Sequence, residues 1–207
     1  PPRPIWTLEE FRLFSDHVFE ADYHLAFSLL FWCGLRKGEL LALTYEDFND
    51  KDSSLSVVKT YQIQNGVSSV SSAKTPKSNR TVTIPAFLYQ EFLRYRDKAN
   101  PPALSCRVFP FSQTALNKKL SKIAERCSLP SIRVHDLRHS HVSMLLEMGM
   151  SLLEISERIG HEKPQTTLNI YAHLYPDKQK KLAEKLDDLE KENLSPASCK
   201  ASKNTVS

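Results

Sequence analysis

The stretch from residue 54 to residue 85 differs in pattern from the rest of the chain and limits the folds open to it. SLSVVKTYQIQ and VSSVSSA are rich in Val, Ser, Thr and Tyr, and Asn65-Gly66 between them is a strong hairpin signal. RTVTIP predicts a third strand, which Pro85 ends. Lys74 then lies at the end of the second strand, where the short loop TPKSN turns the chain back.

Helix signals stand on both sides of these strands. Thr7 and Glu10 form a capping box before the first helical pattern, and LAFSLLFWC predicts a helix at the centre of the core that Gly34 ends. Further helices are predicted for residues 36–43, 86–98, 112–127, 135–149 and 151–160, and for the segment carrying Tyr171. The predicted fold class is therefore mainly α with a small three-stranded antiparallel β-sheet.

Net charge by itself gives little support for a nucleic-acid partner. The 207 residues carry a formal net charge of +4, so a positive face has to come from local clusters. A solvated surface is the usual fate of such clusters. The candidate nucleic-acid contacts in two such clusters are Lys77, Arg80, Lys118, Lys119 and Lys122.

The cysteines and the apolar segments indicate the cellular compartment. Cys33, Cys106, Cys127 and Cys199 show no C-x-x-C spacing, which is typical of reduced thiols and not of a disulfide framework or a zinc site. No segment is long and apolar enough for a membrane span, and no signal peptide opens the chain. We therefore expect a cytoplasmic protein with no membrane partner.

Residues suited to phosphodiester chemistry are concentrated between Val134 and His173. His135 and Arg138 are one helical turn apart, His161 follows a glycine at a predicted helix end, and Tyr171 comes ten residues later. A tyrosine hydroxyl can attack phosphorus while an arginine neutralises the non-bridging oxygens and imidazoles hold or move protons. The set has no acidic metal cage, so it suits metal-free attack on a phosphodiester.

Each of these residues also has an ordinary structural explanation when it is taken singly. Arg36 with Glu39 would form a surface ion pair at i,i+3, and Lys74 would be a solvated lysine at a hairpin tip. A histidine at a helix end is stabilised by the macrodipole, and a tyrosine in an apolar helix is usually core. Only the order of the whole set separates the two interpretations.

In that order the residues resemble a known family. GLRKGELLAL around Arg36, AKTPKSNRTVTIP around Lys74 and VHDLRH, GH and IYAH towards the end resemble the tyrosine recombinases, specifically integrases of phages and conjugative transposons. The resemblance covers roughly residues 5 to 176. It implies that Arg36 and Arg138 clamp the scissile phosphate, with Glu39 supporting Arg36. It further implies that Lys74, in preference to Lys77, protonates the departing 5′-oxygen.

The resemblance also assigns the histidines and the tyrosine. His135 would be a general base or phosphate ligand, and His161 a hydrogen-bond donor to the phosphate. His139 and His141 are expected to be bystanders. Tyr171, in preference to Tyr175, would attack a DNA phosphate and form a 3′-phosphotyrosine.

The implied reaction is a transesterification that needs no cofactor, no ATP and no divalent metal, because two arginines supply the positive charge. The implied partners are double-stranded DNA attachment sites and three further copies of the chain, as a homo-tetramer on DNA, with a monomer expected in isolation. Two alternatives remain open: DNA relaxation like that of a type IB topoisomerase, and a DNA-binding accessory protein that does not cleave.

The expected domain organisation follows from the extent of the resemblance. Residues 1–176 would form the catalytic domain, and residues 177–193 an amphipathic helix with Leu182, Leu186 and Leu189 on one side. Residues 194–207 have the composition of a disordered tail. The family's N-terminal core-binding domain is expected to be absent from this chain.

Overall fold

A computed structural model of the chain describes residues 4–64, 66–72, 79–160, 183–184 and 186–190. The chain divides into two units, Pro1–Tyr171 and Ala172–Ser207. In the second unit residues 183–184 and 186–190 are helical, and the side chains of Leu186 and Leu189 are exposed. Leu182 and the predicted tail, residues 194–207, lie outside the described residues.

Helices dominate the described part of the first unit, and their starts match the capping signals. The Thr7 hydroxyl accepts from the Glu10 N–H, and the Ser151 hydroxyl accepts from the Glu154 N–H, as predicted. The helices are α1 (Leu8–Ser15), α2 (Ala21–Trp32), α3 (Lys37–Ala42), α4 (Ala86–Ala99), α5 (Gln113–Arg126), α6 (Asp136–Glu147) and α7 (Leu152–Ile159), with a 3₁₀ turn at Tyr45–Asp47. None of them, within the described ranges, has the length and apolarity to cross a membrane.

The strands form two antiparallel sheets among the described residues. The strands are β1 (Phe48–Asn49), β2 (Ser54–Val57), β3 (Lys59–Gln64), β4 (Val67–Ser72) and β5 (Arg80–Thr83). One sheet has the order β1-β2-β5, and β3 pairs with β4 as the predicted hairpin. The mainly helical fold with a small antiparallel sheet is thus confirmed.

The assignment of strands differs from the prediction at Val58. SLSVVKTYQIQ was predicted as one strand, but its first half pairs with β5 and its second half pairs with β4. A short strand that was not predicted, β1, completes the three-stranded sheet. Beyond the change of sheet, β3 packs on α3, where a Cβ on Gly38 would lie 2.6 Å from Thr60 Oγ1.

Helix α2 lies at the centre of the core, as predicted. Every residue from Leu25 to Phe31 is buried, and the rings of Phe11 and Phe31 stack with centroids 3.8 Å apart. α2 packs against α1, α3, α4 and α6. Its end at Gly34 therefore lies close to α3 and α6, which carry the predicted site residues.

Candidate active site

Glu39, in the first turn of α3, is the centre of a buried ion cluster. Its Oε2 accepts from the Arg36 backbone N–H at 2.8 Å, and its Oε1 accepts from Arg36 Nη1 at 2.6 Å. Arg80 donates from Nη1 to Oε1 at 3.0 Å and from Nη2 to Oε2 at 2.9 Å, which is a bidentate pair. The contact predicted between Arg36 and Glu39 is present, and a second arginine joins it.

The carboxylate of Glu39 stays ionised in this cluster. Burial alone would raise its pKa, but the hydrogen bonds and charge of Arg80, followed by the charges of Arg36 and Arg138, lower the pKa to about 2. One negative charge therefore balances part of the charge of three guanidinium groups, of which Arg36 lines the adjoining cleft.

Three consecutive backbone carbonyls at the end of α7 each hold one of these arginines. Arg80 Nε donates to the Arg158 carbonyl at 2.9 Å, Arg138 Nη2 to the Ile159 carbonyl at 2.5 Å, and Arg36 Nη2 to the Gly160 carbonyl at 2.8 Å. The last carbonyls of a helix have no intrahelical donor and form the negative end of the helix dipole. The end of α7 is therefore a site for cations.

Arg138 has a structural function in addition to its predicted one. It is 1% exposed, and its Nη1 donates to the Gly34 carbonyl at 2.5 Å, so it bonds the end of α2 to the end of α7. Burial and the neighbouring Arg36 lower its pKa below the ordinary value for arginine. Arg138 therefore contributes to the packing of these two helix ends.

Arg36 and His135 face an open cleft of about 1080 Å³. The cleft lies between α3, β3, α5 and the segment before α6, and its walls include Lys37, Tyr61 and Arg133. The side chain of Arg36 is 35% exposed, in contrast to the buried Arg138. Two of the predicted phosphate ligands therefore line one cleft that is accessible to solvent.

His135 stands at the N-terminal end of α6, as predicted. Its ring packs edge-on against His139 with centroids 4.8 Å apart. His135 is exposed to the cleft. Its pKa is lowered below 6.5 because part of the ring is withdrawn from water and because His139 and Arg138 lie near it. The lowered pKa favours the neutral ring, which has a nitrogen free to accept a proton.

The structure places Arg80, which is predicted as a DNA contact, in the buried ion cluster. Its side chain is 6% exposed and bonded to Glu39 and the Arg158 carbonyl, and its contact with DNA stays a prediction. The alternation of RTVTIP carried a usable signal. Arg80 and the buried Val82 are two residues apart and share the inward face of β5.

Helix α5 forms one wall of the cleft. Lys119 on this helix does not line the cleft, because it pairs with Glu20 and its ammonium lies 5.1 Å from the Tyr23 ring centroid, and its contact with DNA stays a prediction. The cleft wall instead carries Gln113, Asn117 and Ser121, whose i, i+4, i+8 spacing was readable from the sequence. Lys118 and Lys122 are exposed beside that face, and their contact with DNA stays a prediction.

Four further predicted residues fall where the chain is not described. These are Lys74, Lys77, His161 and Tyr171. Arg36, Glu39, His135 and Arg138 are the predicted site residues that the described structure brings together at the cleft and the cluster behind it.

Comparison with known proteins identifies the family. The model of the phage integrase family matches residues 10–178. The ICEBs1 integrase of Bacillus subtilis (strain 168) is 33% identical over 199 residues, which cover 89% of this chain and 54% of that protein. The integrase of Staphylococcus phage L54a is 29% identical over 173 residues, 75% of this chain and 49% of that protein.

A solved structure shows the same fold. The Tn1549 transposon integrase, in complex with circular intermediate DNA, superposes with a TM-score of 0.74 at 22% identity, over 90% of this chain and 68% of that one. This chain spans about half the length of the curated relatives it matches. The match over most of its residues, in sequence and in fold, shows that the chain belongs to the phage integrase family.

Proposed function

We propose that the chain is the catalytic part of a site-specific DNA recombinase, an integrase that breaks and rejoins DNA for the integration or excision of a mobile element. The observation that carries the proposal is the pair of arginines, Arg36 and Arg80, bonded to the Glu39 carboxylate beside the buried Arg138, behind a cleft that Arg36 and His135 line. Such a cluster supplies preformed positive charge to a phosphate without a metal ion.

The proposed reaction is a reversible transesterification in which the number of phosphoester bonds is conserved. The Tyr171 hydroxyl oxygen bonds to the phosphorus, and the bond from phosphorus to the 5′-oxygen breaks. The neutral His135 accepts the phenol proton, and Lys74 donates a proton to the departing oxygen. Attack by a 5′-hydroxyl reverses these steps and reseals the strand, so neither ATP nor a cofactor is consumed.

The charge on the phosphate in this reaction is met by Arg36 and Arg138. Arg36 is open to the cleft, and its planar fork matches two phosphate oxygens. His161 is proposed as a further hydrogen-bond donor to the same oxygens. Glu39 orients Arg36 through the bond at 2.6 Å, as a support that does not touch the DNA.

We further propose double-stranded attachment sites as the DNA partner, since the Tn1549 integrase structures contain transposon DNA. The chain would be monomeric in isolation and would assemble as a homo-tetramer on DNA in the bacterial cytoplasm. Exchange of two strands would take place within that tetramer. Residues 1–176 would be the catalytic domain, with residues 177–193 as a separate helix.

A nicked suicide substrate, which loses a short strand on cleavage and so traps the adduct, tests the proposal. The chain is expected to form a covalent protein–DNA adduct, Tyr171→Phe to form none while binding DNA as before, and Tyr175→Phe to behave as the wild type. An adduct that persists in Tyr171→Phe and disappears in Tyr175→Phe would show that the nucleophile is misassigned. No adduct with any variant would support an accessory DNA-binding protein instead.

Strand transfer separates recombination from DNA relaxation. A recombinase joins the trapped 3′-phosphotyrosine to the 5′-hydroxyl of an added partner strand, whereas an enzyme like a type IB topoisomerase rejoins the original strand. Relaxation of supercoiled DNA without transfer to an added strand would contradict the proposed function. The relatives that the chain matches are named integrases and recombinases, which favours transfer.

A further inference from the structure

Arg158, near the end of α7, joins four structural elements through one side chain. Its Nε donates to His141 Nε2 on α6 at 3.3 Å. Its Nη2 donates to the Trp32 carbonyl at the end of α2 at 3.2 Å and to the Thr83 carbonyl at the end of β5 at 3.3 Å. The side chain therefore ties the last turn of α7 to α2, α6 and β5.

The turn that Arg158 ties down is the one that holds the arginine cluster. The carbonyls of residues 158, 159 and 160 accept from Arg80, Arg138 and Arg36 respectively. Since these carbonyls are consecutive, a shift of this turn moves the acceptors of all three guanidinium groups together. The position of the cluster is thus linked to the bonds made by one side chain that does not line the cleft.

His141, expected to be a bystander, fixes Arg158 from the other side. It is 1% exposed and packs on the turn at Gly34, whose carbonyl accepts from Arg138. Burial, followed by the charges of Arg158 and Arg138, lowers its pKa to about 3. The neutral ring accepts the Arg158 N–H at Nε2, so its own proton is on Nδ1.

We infer that Arg158 and His141 are positioning residues for DNA strand cleavage: they hold the last turn of α7 so that its three carbonyls orient Arg36, Arg80 and Arg138. Cleavage as the readout rests on the proposed function, whereas the orientation of the arginines can be measured without it. Neither residue lines the cleft, so their effect on the phosphate is inferred to pass through the arginines.

Arg158→Leu is the first test, because leucine keeps part of the apolar stem and removes all three bonds. On the suicide substrate at saturating DNA, its cleavage rate is expected to fall about 100-fold, the usual cost of misplacing a reacting group by about 1 Å. Its affinity for DNA should stay within about threefold of the wild type, because its site is outside the cleft. Assays are run below the melting temperature of each variant.

Arg96→Leu is the matched control. Like Arg158→Leu, it removes the hydrogen bonds of one arginine. Arg96 donates twice to Asp50, at 3.0 and 3.1 Å, but neither Arg96 nor Asp50 lines the cleft or bonds to the cluster. Its cleavage rate is expected to be that of the wild type. Arg158→Lys retains the charge and reaches fewer acceptors, so an intermediate loss is expected, and it serves as the test variant if Arg158→Leu does not fold.

A substrate with a methylphosphonate at the scissile position distinguishes positioning from general damage. Its phosphorus carries no negative charge, so the reaction depends less on the arginines. The rate defect of Arg158→Leu is expected to shrink from about 100-fold on phosphate to about 10-fold on methylphosphonate. The same fold loss on both substrates would mean that Arg158 acts only on the fold, and would overturn the inference.

Proton exchange at the arginine side chains tests the orientation without any reaction. In the wild type, the Nε–H of Arg80 donates to the Arg158 carbonyl. NMR should show faster exchange of this proton in Arg158→Leu and in His141→Leu, and no change in Arg96→Leu. Wild-type protection in both test variants would overturn the inference. A wild type that forms no adduct, with faster exchange in these variants, would refute the proposed function and leave the positioning of the arginines supported.

Discussion

Replacing Gly34 with alanine tests the packing that holds Arg138 at the end of α2. Gly34 has φ +64°, and a Cβ built on it would lie 2.5 Å from His141 Cδ2 and 3.2 Å from Ile159 Cγ2. Two independent penalties therefore apply to this position. One is the left-handed backbone, and the other is a collision with a buried ring.

The two penalties can be assigned separate magnitudes. A left-handed backbone costs an L-residue about 1 kcal/mol, and forcing one extra carbon into a packed core costs about 2 kcal/mol. We therefore expect Gly34→Ala to lower the free energy of unfolding by about 3 kcal/mol. Gly149→Ala is the matched control, because Gly149 has φ +83° and no described atom within 4 Å of a Cβ. Its expected loss is about 1 kcal/mol.

Urea denaturation followed by circular dichroism measures both variants on one scale. The double variant with His141→Ala isolates the collision, and a coupling of about 2 kcal/mol between the two sites is expected. Equal losses in Gly34→Ala and Gly149→Ala, or additivity with His141→Ala, would refute the reasoning. The close contact between Gly34 and His141 would then have no energetic consequence.

Three further predictions concern the charged groups. Glu39→Gln should lower the free energy of unfolding by about 3 kcal/mol at pH 7, because it leaves buried guanidinium groups uncompensated. Since the pKa of Glu39 is lowered from 4.5 to about 2, this difference from the wild type should be complete above pH 4.5 and shrink as the pH falls towards 2. A difference in urea denaturation that grows on acidification would contradict this. Arg138→Lys should lose about 2 kcal/mol of stability as well as about 100-fold in adduct formation, since a lysine cannot reproduce two buried bonds and a phosphate contact; an unchanged melting temperature would show that its carbonyl bonds do not stabilise the fold. Cleavage by Lys74→Ala should be restored on a substrate with a 5′-bridging phosphorothiolate, whose leaving group needs no proton, while cleavage by Arg138→Ala should not. Restored cleavage by Lys77→Ala in place of Lys74→Ala would reassign the general acid.

Features that depend on residues close together in the chain were predictable from the sequence. The capping boxes at Thr7 and Ser151 and the hairpin at Asn65-Gly66 each involve residues at most three positions apart. The contact between Arg36 and Glu39 belongs to the same class, because the two residues are separated by three positions. Propensity and local hydrogen bonding decide such features before the tertiary fold is formed.

The family could also be recognised from the sequence, although the arrangement behind the cleft could not. The order of the arginine, lysine, histidine and tyrosine motifs was sufficient for the resemblance, and the match over residues 10–178 confirms it. Motif order does not say which arginine lies on the surface. Arg80, next to the lysines of TPKSN, was therefore grouped with them as a DNA contact.

The tertiary structure alone decided how the charges are paired. Arg80 binds Glu39, 41 positions away, and Arg138 bonds the Gly34 carbonyl, 104 positions away. These pairs exist because the ends of α2, α3, β5 and α7 meet, and because a charge withdrawn from water must find a partner there. The sequence by itself determined the helices, the hairpin and the chemistry of the motifs. The meeting of these helix and strand ends determined that Arg36 and Arg80 share one carboxylate and that these two arginines and Arg138 bond three successive carbonyls.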